Sequence, residues 1–375
     1  MYRMLLLIAT LMLGGQAAYA DVKIGILTPL TGAGSRYGQE QRVAIDMFLE
    51  KYSDLGGAAG KLVPIIYDTR WSGTEAISLV RKLIDSDQVE VIVGPMSSTE
   101  SEVALPVANR METPIITPTA AKPGIASANR PWAFGFATTA DKLDGSLVKA
   151  WLDKNPSIKS VVILVDAKDG VSSSECTRVF PPALDKAGVK VLDTISFQTG
   201  DIDFSAQVTK ASGLKPDGVV LCGLYTESAH VVKEMRRQGM TQPIVAGIAV
   251  MSDRFNSLAG ADANGIMSVT DFFAGTEDPA IVAWAQEYET RFKNPPTNVG
   301  ALTYDTLYLT RECIRQRGVA GKDLAADRTA IRDCWTQLKD AKAPLTGENT
   351  VTPEGYAVRK ATIVTIQGGK MVAIH

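Results

Sequence analysis

Two patterns of hydrophobic and polar positions follow each other along most of this chain. Short apolar runs rich in Val, Ile and Leu are separated by longer segments in which apolar residues recur every three or four positions. The short runs predict buried β-strands, and the longer segments predict amphipathic helices. Because regular alternation of strand and helix is typical of a parallel sheet covered by helices, we predict an α/β fold.

Two such units follow each other along the sequence. In the first, the pattern predicts strands at 22–27, 62–67, 89–93 and 114–116, and helices at 39–52, 74–85 and 100–110. After a turn-rich stretch, the second unit has predicted strands at 161–165, 189–195, 218–221 and 244–246, and helices at 141–154, 173–187, 204–211 and 226–238. We therefore expect two doubly wound lobes, each built on a parallel sheet.

The last part of the chain is mainly helical and ends in a predicted hairpin. Its predicted elements are helices at 280–293, 298–317 and 325–339 and strands at 358–366 and 371–374, with Gly368-Gly369 as the turn. Since this block is too small for a third α/β domain, we expect it to complete the other two. The predicted lobes are 21–139 with 272–345 and 140–271 with 346–375, joined by a hinge that the chain crosses several times.

The amino-terminal residues 1–20 have the features of a secretory leader. Arg3 gives a positive start, residues 4–13 are apolar, and Ala18 and Ala20 are small residues before the expected cleavage point. The apolar run is about half of the roughly 20 residues that a bilayer span needs. We expect a cleaved signal peptide and an exported chain, without lipid attachment because no cysteine precedes Cys176.

Charge and histidine content exclude several functional classes. The formal net charge of −2 argues against nucleic acid or an anionic membrane as a partner. After the leader no stretch is long enough to insert directly into a membrane. The only histidines are His230 and His375, and no G-x-S-x-G motif occurs. We therefore expect neither an enzyme nor a bound metal or cofactor.

Four cysteines indicate disulfides, since none of them forms a C-x-x-C pair. Cys313 and Cys334 lie in successive helical segments joined by a turn at 318–323, so an antiparallel helix hairpin would bring them together. We predict a bridge between these two. The pairing of Cys176 with Cys222 stays open at this stage.

Small and hydroxyl-bearing residues follow the predicted strands at one edge of the first sheet. Residues 93–100 run from a buried strand into a helix, where free N–H groups and Ser hydroxyls suit a carboxylate, although they also suit a plain helix cap. Residues 116–121 form a second such loop. Because ligands of open α/β sheets bind beyond the carboxyl ends of the strands, these loops predict a polar pocket, faced in the second lobe by loops 166–174 and 223–227.

Several motifs together resemble the leucine/isoleucine/valine-binding family of ABC importers, the type I periplasmic binding proteins. They are the opening Ile24-Gly25-Ile26-Leu27-Thr28-Pro29-Leu30-Thr31-Gly32, Tyr37-Gly38, Leu55-Gly56-Gly57, Asp68, Val93-Gly94-Pro95 to Ser98, Ile115-Ile116-Thr117-Pro118, and Gly223 to Glu227 with Met235-Arg236-Arg237-Gln238-Gly239. The resemblance covers nearly all of the chain after the leader. It implies a monomeric periplasmic protein that passes a small carboxylate-bearing solute to a membrane permease.

The resemblance also implies a set of ligand-binding residues. They are Tyr37, Met96, Ser97, Ser98, Thr119, Ala120, Ala121, Tyr225 and Ala249. Ser98 and the loop from Thr119 to Ala121 would hold the carboxylate, and the two tyrosines either contact the ligand or belong to the packing shell. Two features depart from the family pattern: Ala121 replaces a usual Thr, and residues 247–250 lack the usual acid that neutralises an ammonium group.

The missing acid affects the predicted ligand. An ammonium group buried without a countercharge would cost several kcal/mol. The sequence therefore favours an aromatic or aliphatic carboxylic acid over an amino acid, with Trp71 as a flat wall. Alternatively, Asp166, Glu227 or Asp271 pairs with the ammonium. Two other functions stay open: an exported ligand sensor that docks on a receptor, and, less favoured, a secreted α/β hydrolase.

Overall fold

The computed structural model describes residues 20–56, 59–359 and 361–374. Residues 1–19 of the predicted leader lie outside this part of the chain. No helix among the described residues combines the length and the apolar character needed to cross a bilayer.

The first lobe is built on a parallel sheet. Its strands within the described residues are β1 (Ala20–Thr28), β2 (Ala59–Asp68), β3 (Val91–Val93), β4 (Ile115–Thr117) and β5 (Ala133–Gly135), in the order β2-β1-β3-β4-β5. The helices between them are α1 (Ser35–Tyr52), α2 (Gly73–Asp85) and α3 (Ser98–Arg110). Every strand pair of this sheet is parallel, so the carboxyl ends of the strands share one edge.

The second lobe repeats the same alternation. It begins with α4 (Ala140–Lys154) and has strands β6 (Ser160–Asp166), β7 (Lys190–Phe197), β8 (Gly218–Cys222), β9 (Ile244–Ala246) and β10 (Met267–Thr270). Its other helices are α5 (Gly170–Ser174), α6 (Phe180–Lys186), α7 (Ser205–Gly213), α8 (Tyr225–Arg237) and α9 (Asp253–Ala259). A π-helical turn, Glu175–Val179, joins α5 to α6.

The carboxyl-terminal part contributes to both lobes. Its elements are α10 (Pro279–Phe292), α11 (Asn298–Gln316), α12 (Leu324–Gln337), β11 (Ala341–Ala343), β12 (Gly347–Val351), β13 (Ala357–Val358), β14 (Thr362–Gln367) and β15 (Lys370–Ala373). Helix α11 packs along α1. Strands β14 and β15 extend the second sheet in antiparallel fashion, giving the order β15-β14-β10-β9-β8-β6-β7.

The expected fold class, two doubly wound lobes with several crossovers, agrees with this topology. Each strand and helix predicted above has a counterpart in the structure. The prediction of one strand over 358–366 is wrong, because β13 ends at Val358 and β14 begins only at Thr362. The sequence pattern does not predict short elements such as β5, α9, β10 and the small sheet β11–β13. Each has too few residues to show a helical period or a clear apolar run.

The boundaries of the lobes stay a prediction. The packing of residues 351–357 refines the position of the last boundary. Val351 and Ala357 are buried in the same core as Trp335 of the first lobe. The Tyr356 hydroxyl accepts a hydrogen bond from the N–H of Ala126 at 2.9 Å. We therefore propose that the last crossover lies between Val358 and Thr362, later in the chain than residue 346.

One buried arginine ties the crossing segments of the hinge together. The Nη1 of Arg359 lies 2.7 Å from Oδ2 of Asp271, and both side chains are almost fully buried. The same carboxylate oxygen accepts the N–H of Thr138 at 3.1 Å. Arg359 also donates to the carbonyl of Phe136. The three crossovers of the described chain thus meet at one ion pair, and burial lowers the pKa of Arg359.

Two disulfides link elements within the lobes. Cys313 of α11 bonds to Cys334 of α12, with an S–S distance of 2.07 Å. Cys176, in the π-helical turn, bonds to Cys222 at the end of β8. The second bridge fixes the turn beside the loop that starts α8.

Candidate functional site

A small cavity lies between the two lobes at the carboxyl ends of both sheets. Its volume is about 60 Å³. The first lobe lines it with Tyr37, Trp71, Met96, Ser97, Ser98, Thr119, Asn298 and Val299, and the second lobe with Asp169, Val171, Leu224, Ile248, Ala249 and Met251. We call this space the binding cavity.

Most of the predicted pocket residues of the first lobe meet here. Gly94 turns the chain after β3 at a φ of 116°, and a Cβ there would lie 2.3 Å from the Leu27 carbonyl oxygen, so only glycine fits. The turn leads into α3, whose N-cap Ser97 exchanges hydrogen bonds with Glu100. These bonds occupy the Ser97 hydroxyl, so of the two serines Ser98 has the freer hydroxyl at the cavity.

The hydroxyls on this wall have defined roles. Ser98 Oγ accepts the N–H of Lys122 at 3.2 Å, which leaves its own proton available to a ligand. Thr119 Oγ1 donates to the carbonyl of Met96 at 2.9 Å. Since the first turn of α3 also presents N–H groups and the positive end of the helix dipole, this wall favours a carboxylate.

Two aromatic rings border the cavity, and a third lies behind them. Tyr37 and Trp71 are stacked, with ring centroids 5.9 Å apart, and Tyr225 meets Tyr37 edge-on at 4.9 Å. Trp71 has a left-handed backbone, with a φ of 58°. A Cβ on Gly34 would lie 1.8 Å from the Trp71 ring, so the glycine makes room for the indole.

Hydrogen bonds join the lobes around the cavity. The Tyr37 hydroxyl donates to the carbonyl of Ala249 at 2.7 Å, and Tyr225 donates to the carbonyl of Ala33 at 3.3 Å. On the other side, the N–H of Gly170 donates to Thr99 Oγ1 at 2.8 Å. Burial raises the pKa of Tyr37 well above its ordinary value, so its phenol stays a donor. The lobes are closed on each other in this structure.

Two carboxyl groups that were not predicted lie at the cavity or behind its wall. Asp169 lines the cavity, and its Oδ2 accepts the N–H of Ser172 at 3.0 Å as the N-cap of α5. Glu175 is fully buried behind Gly247 and accepts the N–H of Ile248 at 3.0 Å. Burial raises the pKa of Asp169, and it raises that of Glu175 to about 8.

Glu175 limits the space beside the loop 247–250, which has no acid of its own. A Cβ on Gly247 would lie 2.3 Å from Oε2 of Glu175, so a side chain at this position would collide with the carboxyl group. Glu175 belongs to the π-helical turn and lies beside the backbone of this loop. No local sequence signal placed it there, because the contact joins residues far apart in the chain.

Other predicted residues do not line the cavity. The side chains of Ala120 and Ala121 are buried in the first-lobe cores, and Tyr225 lies behind Tyr37. Asp166 accepts the N–H groups of Lys168, Asp169 and Thr199 and thereby shapes its own loop. Glu227 accepts the N–H of Gly200 at 2.8 Å, and Asp271 pairs with Arg359 at the hinge. Asp166 and Glu227 are therefore not pocket-wall residues in this structure, and Asp271 is not the ammonium partner.

Comparison with known proteins relates this architecture to a family. The family model described as periplasmic binding protein matches residues 21–370. The leucine-, isoleucine-, valine-, threonine-, and alanine-binding protein of Pseudomonas aeruginosa is 24% identical over 327 residues, which cover 86% of each chain. These matches identify the same family as the motifs did.

Solved structures share the fold. A branched-chain amino acid transporter substrate binding protein from Streptococcus pneumoniae, in complex with isoleucine, matches with a TM-score of 0.82 and 23% identity, covering 94% of this chain and 98% of that one. A solute binding protein of an ABC transporter from R. palustris, in complex with benzoate, has a TM-score of 0.84 and 18% identity, with 94% and 95% covered. These relatives are solute-binding proteins and not enzymes. The chain therefore belongs to the periplasmic binding protein family, in the branch of the leucine/isoleucine/valine-binding proteins.

Proposed function

We propose that this protein captures an α-amino acid with an apolar side chain between its lobes, as the solute-binding component of an ABC importer. The observation that carries this proposal is the position of Asp169. It lines the same small cavity as Ser98, so a group that attracts cations faces a wall that attracts anions. An α-amino acid carries these two charges at adjacent positions.

The carboxylate of the ligand would contact the start of α3. The Ser98 hydroxyl, which accepts the N–H of Lys122, would donate its own proton to this carboxylate, and the helix dipole would stabilise the negative charge. Thr119 supports this wall through its bond to Met96. Hydrogen bonds to a charged group contribute about 1.5–3 kcal/mol each, so loss of the Ser98 hydroxyl weakens any carboxylate ligand.

The ammonium group would pair with Asp169. Burial raises the pKa of this carboxyl, and an ammonium beside it acts in the opposite direction by favouring the ionised form. Glu175 adds a second acid behind the wall, in contact with the backbone of Ile248. Since Glu175 holds its proton at neutral pH, Asp169 supplies the countercharge that the loop 247–250 lacks.

A carboxylic acid without an amino group is the second candidate. The stacked rings of Tyr37 and Trp71 form a flat apolar wall, which suits an aromatic acid. The two ligand classes differ in their need for Asp169. An aromatic acid would place its carboxylate at Ser98 in the same way but would gain nothing from a buried carboxyl on the opposite side.

Delivery to a membrane permease follows from closure of the lobes. Ligand binding favours the closed form, whose cross-lobe bonds include Tyr37 to Ala249 and Thr99 to Gly170, and a permease would recognise that form. We propose a monomer exported to the periplasm after cleavage of residues 1–20. An exported sensor would use the same closure to bind a receptor instead.

Calorimetry on a small set of variants tests the ligand class. Asp169→Asn keeps an acceptor for the cap of α5 but removes the charge. We expect it to weaken leucine binding by about 30-fold or more and to leave benzoate binding unchanged or stronger. Ser98→Ala should weaken either ligand by about tenfold.

The matched control is Asp153→Asn, which changes an exposed acid on α4 paired with Lys149. It should leave binding of both ligands unchanged. If the wild type binds benzoate and not leucine, or if Asp169→Asn binds leucine as well as the wild type does, the amino-acid assignment is wrong.

A further inference from the structure

A second and larger cleft lies next to the binding cavity. Its volume is about 680 Å³, against about 60 Å³ for the cavity. It lies between β10 and α9 of the second lobe, the hinge segment after β10, and the turn that precedes α11 in the first lobe. We call it the hinge cleft.

The two spaces are neighbours that share part of their walls. Ile248, Met251 and Asn298 line both of them. These three side chains therefore form the partition between the cavity and the cleft. Met251 is unbranched and adapts its shape easily, so movement of this side chain can join the two spaces without a change of the backbone.

The inner surface of the hinge cleft is mainly apolar. Val269, Phe272, Phe273 and Pro296 contribute to it, and Met371 lies at its edge. Phe272 is held in place by an edge-on contact with Trp284, with ring centroids 6.0 Å apart. Charged residues in the lining, Glu289 and Lys370, are exposed to solvent, so they lie towards the open side of the cleft.

We propose that the hinge cleft receives the side chain of the ligand, so that the preferred ligand is an amino acid with a long, unbranched or aromatic apolar tail. This inference rests on the proposed function, because Ser98 and Asp169 must hold the charged groups at the cavity. A cavity of about 60 Å³ has little room beyond those groups. An apolar tail that passes Met251 enters a space lined by Phe272 and Phe273, where its burial is favourable.

A series of straight-chain 2-amino acids tests this inference. Calorimetry would compare 2-aminobutanoate, norleucine, 2-aminooctanoate and 2-aminodecanoate. Since each buried methylene contributes about 0.8 kcal/mol, we expect the affinity to rise about fourfold per methylene beyond norleucine. A fall in affinity beyond norleucine, with the short members still bound, would overturn the inference and leave the proposed function intact.

Substitutions in the hinge cleft test whether the apolar tail of the ligand lies there. Phe273→Ala and, as a second variant, Met371→Ala remove apolar surface from the hinge cleft and from no part of the cavity lining. Each variant should bind 2-aminodecanoate at least tenfold more weakly than the wild type does. The affinity for 2-aminobutanoate should not change. Leu214→Ala, at an exposed apolar position that lines neither space, is the matched control.

The remaining outcomes are also informative. If affinity rises equally with chain length in the wild type and in both cleft variants, the tail lies elsewhere and the inference is overturned. Absence of binding by every member of the series would overturn the proposed function, and this inference with it.

Discussion

At the scale of single residues, the site depends on glycines that make room for functional side chains. Gly34 allows the Trp71 ring to lie against Tyr37, and Gly247 allows the buried carboxyl of Glu175 to approach the cavity wall. In each pair, the small residue and the large one lie far apart in the sequence. The shape of the cavity is therefore set by long-range pairs and not by one motif.

Gly34→Ala should weaken ligand binding by displacing Trp71. The added Cβ would lie 1.8 Å from the indole ring, and relief of such overpacking typically costs about 1–3 kcal/mol. We expect about a tenfold loss of leucine affinity in calorimetry. Gly213→Ala, where no atom lies within 4 Å of the new Cβ, should bind as the wild type does. Equal affinities of the two variants would show that Trp71 does not shape the site.

Glu175→Gln should change the pH dependence of stability. The folded-state pKa of Glu175, about 8, lies above its unfolded value of about 4.3. Between these pH values the folded protein therefore binds one proton more than the unfolded protein does. The contribution of Glu175 to the free energy of unfolding falls as the pH rises from about 4.3 to about 8. The slope from this one group is at most about 1.4 kcal/mol per pH unit.

Urea unfolding at pH 5, 6.5 and 8 measures this effect. The stability of Glu175→Gln relative to the wild type should increase with pH. Glu348→Gln, at an exposed position, is the matched control. Parallel curves for the wild type and Glu175→Gln would mean that Glu175 does not hold its proton in the folded state.

Part of the site could be predicted from the sequence. The loops after β3 and β4 have visible small and hydroxyl residues, so Ser98 and Thr119 were found, as was Trp71. The sequence analysis names Asp166 of the loop 166–174 and not Asp169, because the sequence does not show which acid of this loop faces the cavity. Identification of Glu175 requires the packing of the π-helical turn against the loop after β9, which no local pattern encodes.

At the scale of helices and strands, the length of an element decided whether it could be predicted. Helices of three or more turns, such as α1 and α11, show a clear period, and the buried strands of both sheets are visible as short apolar runs. The pattern predicts one strand over 358–366, but Arg359 lies between the end of β13 and the start of β14. This arginine leaves the strand pattern to enter the hinge, where it pairs with Asp271.

Arg359→Met should strongly destabilise the fold. It leaves the buried Asp271 without its counterion, and breaking such a pair costs about 3–5 kcal/mol. The double variant with Asp271→Asn should recover part of this loss, because no unpaired charge remains. As a control, Lys149→Met breaks the exposed pair with Asp153 and should cost less than about 1 kcal/mol. Equal losses in urea unfolding for the two single variants would contradict a structural role of the hinge pair.

At the scale of the whole molecule, the two lobes enclose the binding cavity, and the segments that cross between them meet at the Arg359 ion pair. The cross-lobe bonds of Tyr37 and Thr99 lie on the cavity side, while the Arg359 pair lies where the chain crosses between lobes. Opening of the lobes would break the bonds of Tyr37 and Thr99 and keep the pair of Arg359 with Asp271. The general two-lobed design followed from the sequence, whereas the closed arrangement required the structure.

Small-angle X-ray scattering during a titration with leucine measures this closure directly. A protein that closes on an amino acid should become more compact as leucine is added, with a radius of gyration that falls until the calorimetric signal saturates. A scattering curve that does not change at leucine concentrations that saturate the calorimetric signal would contradict ligand capture by closure of the two lobes.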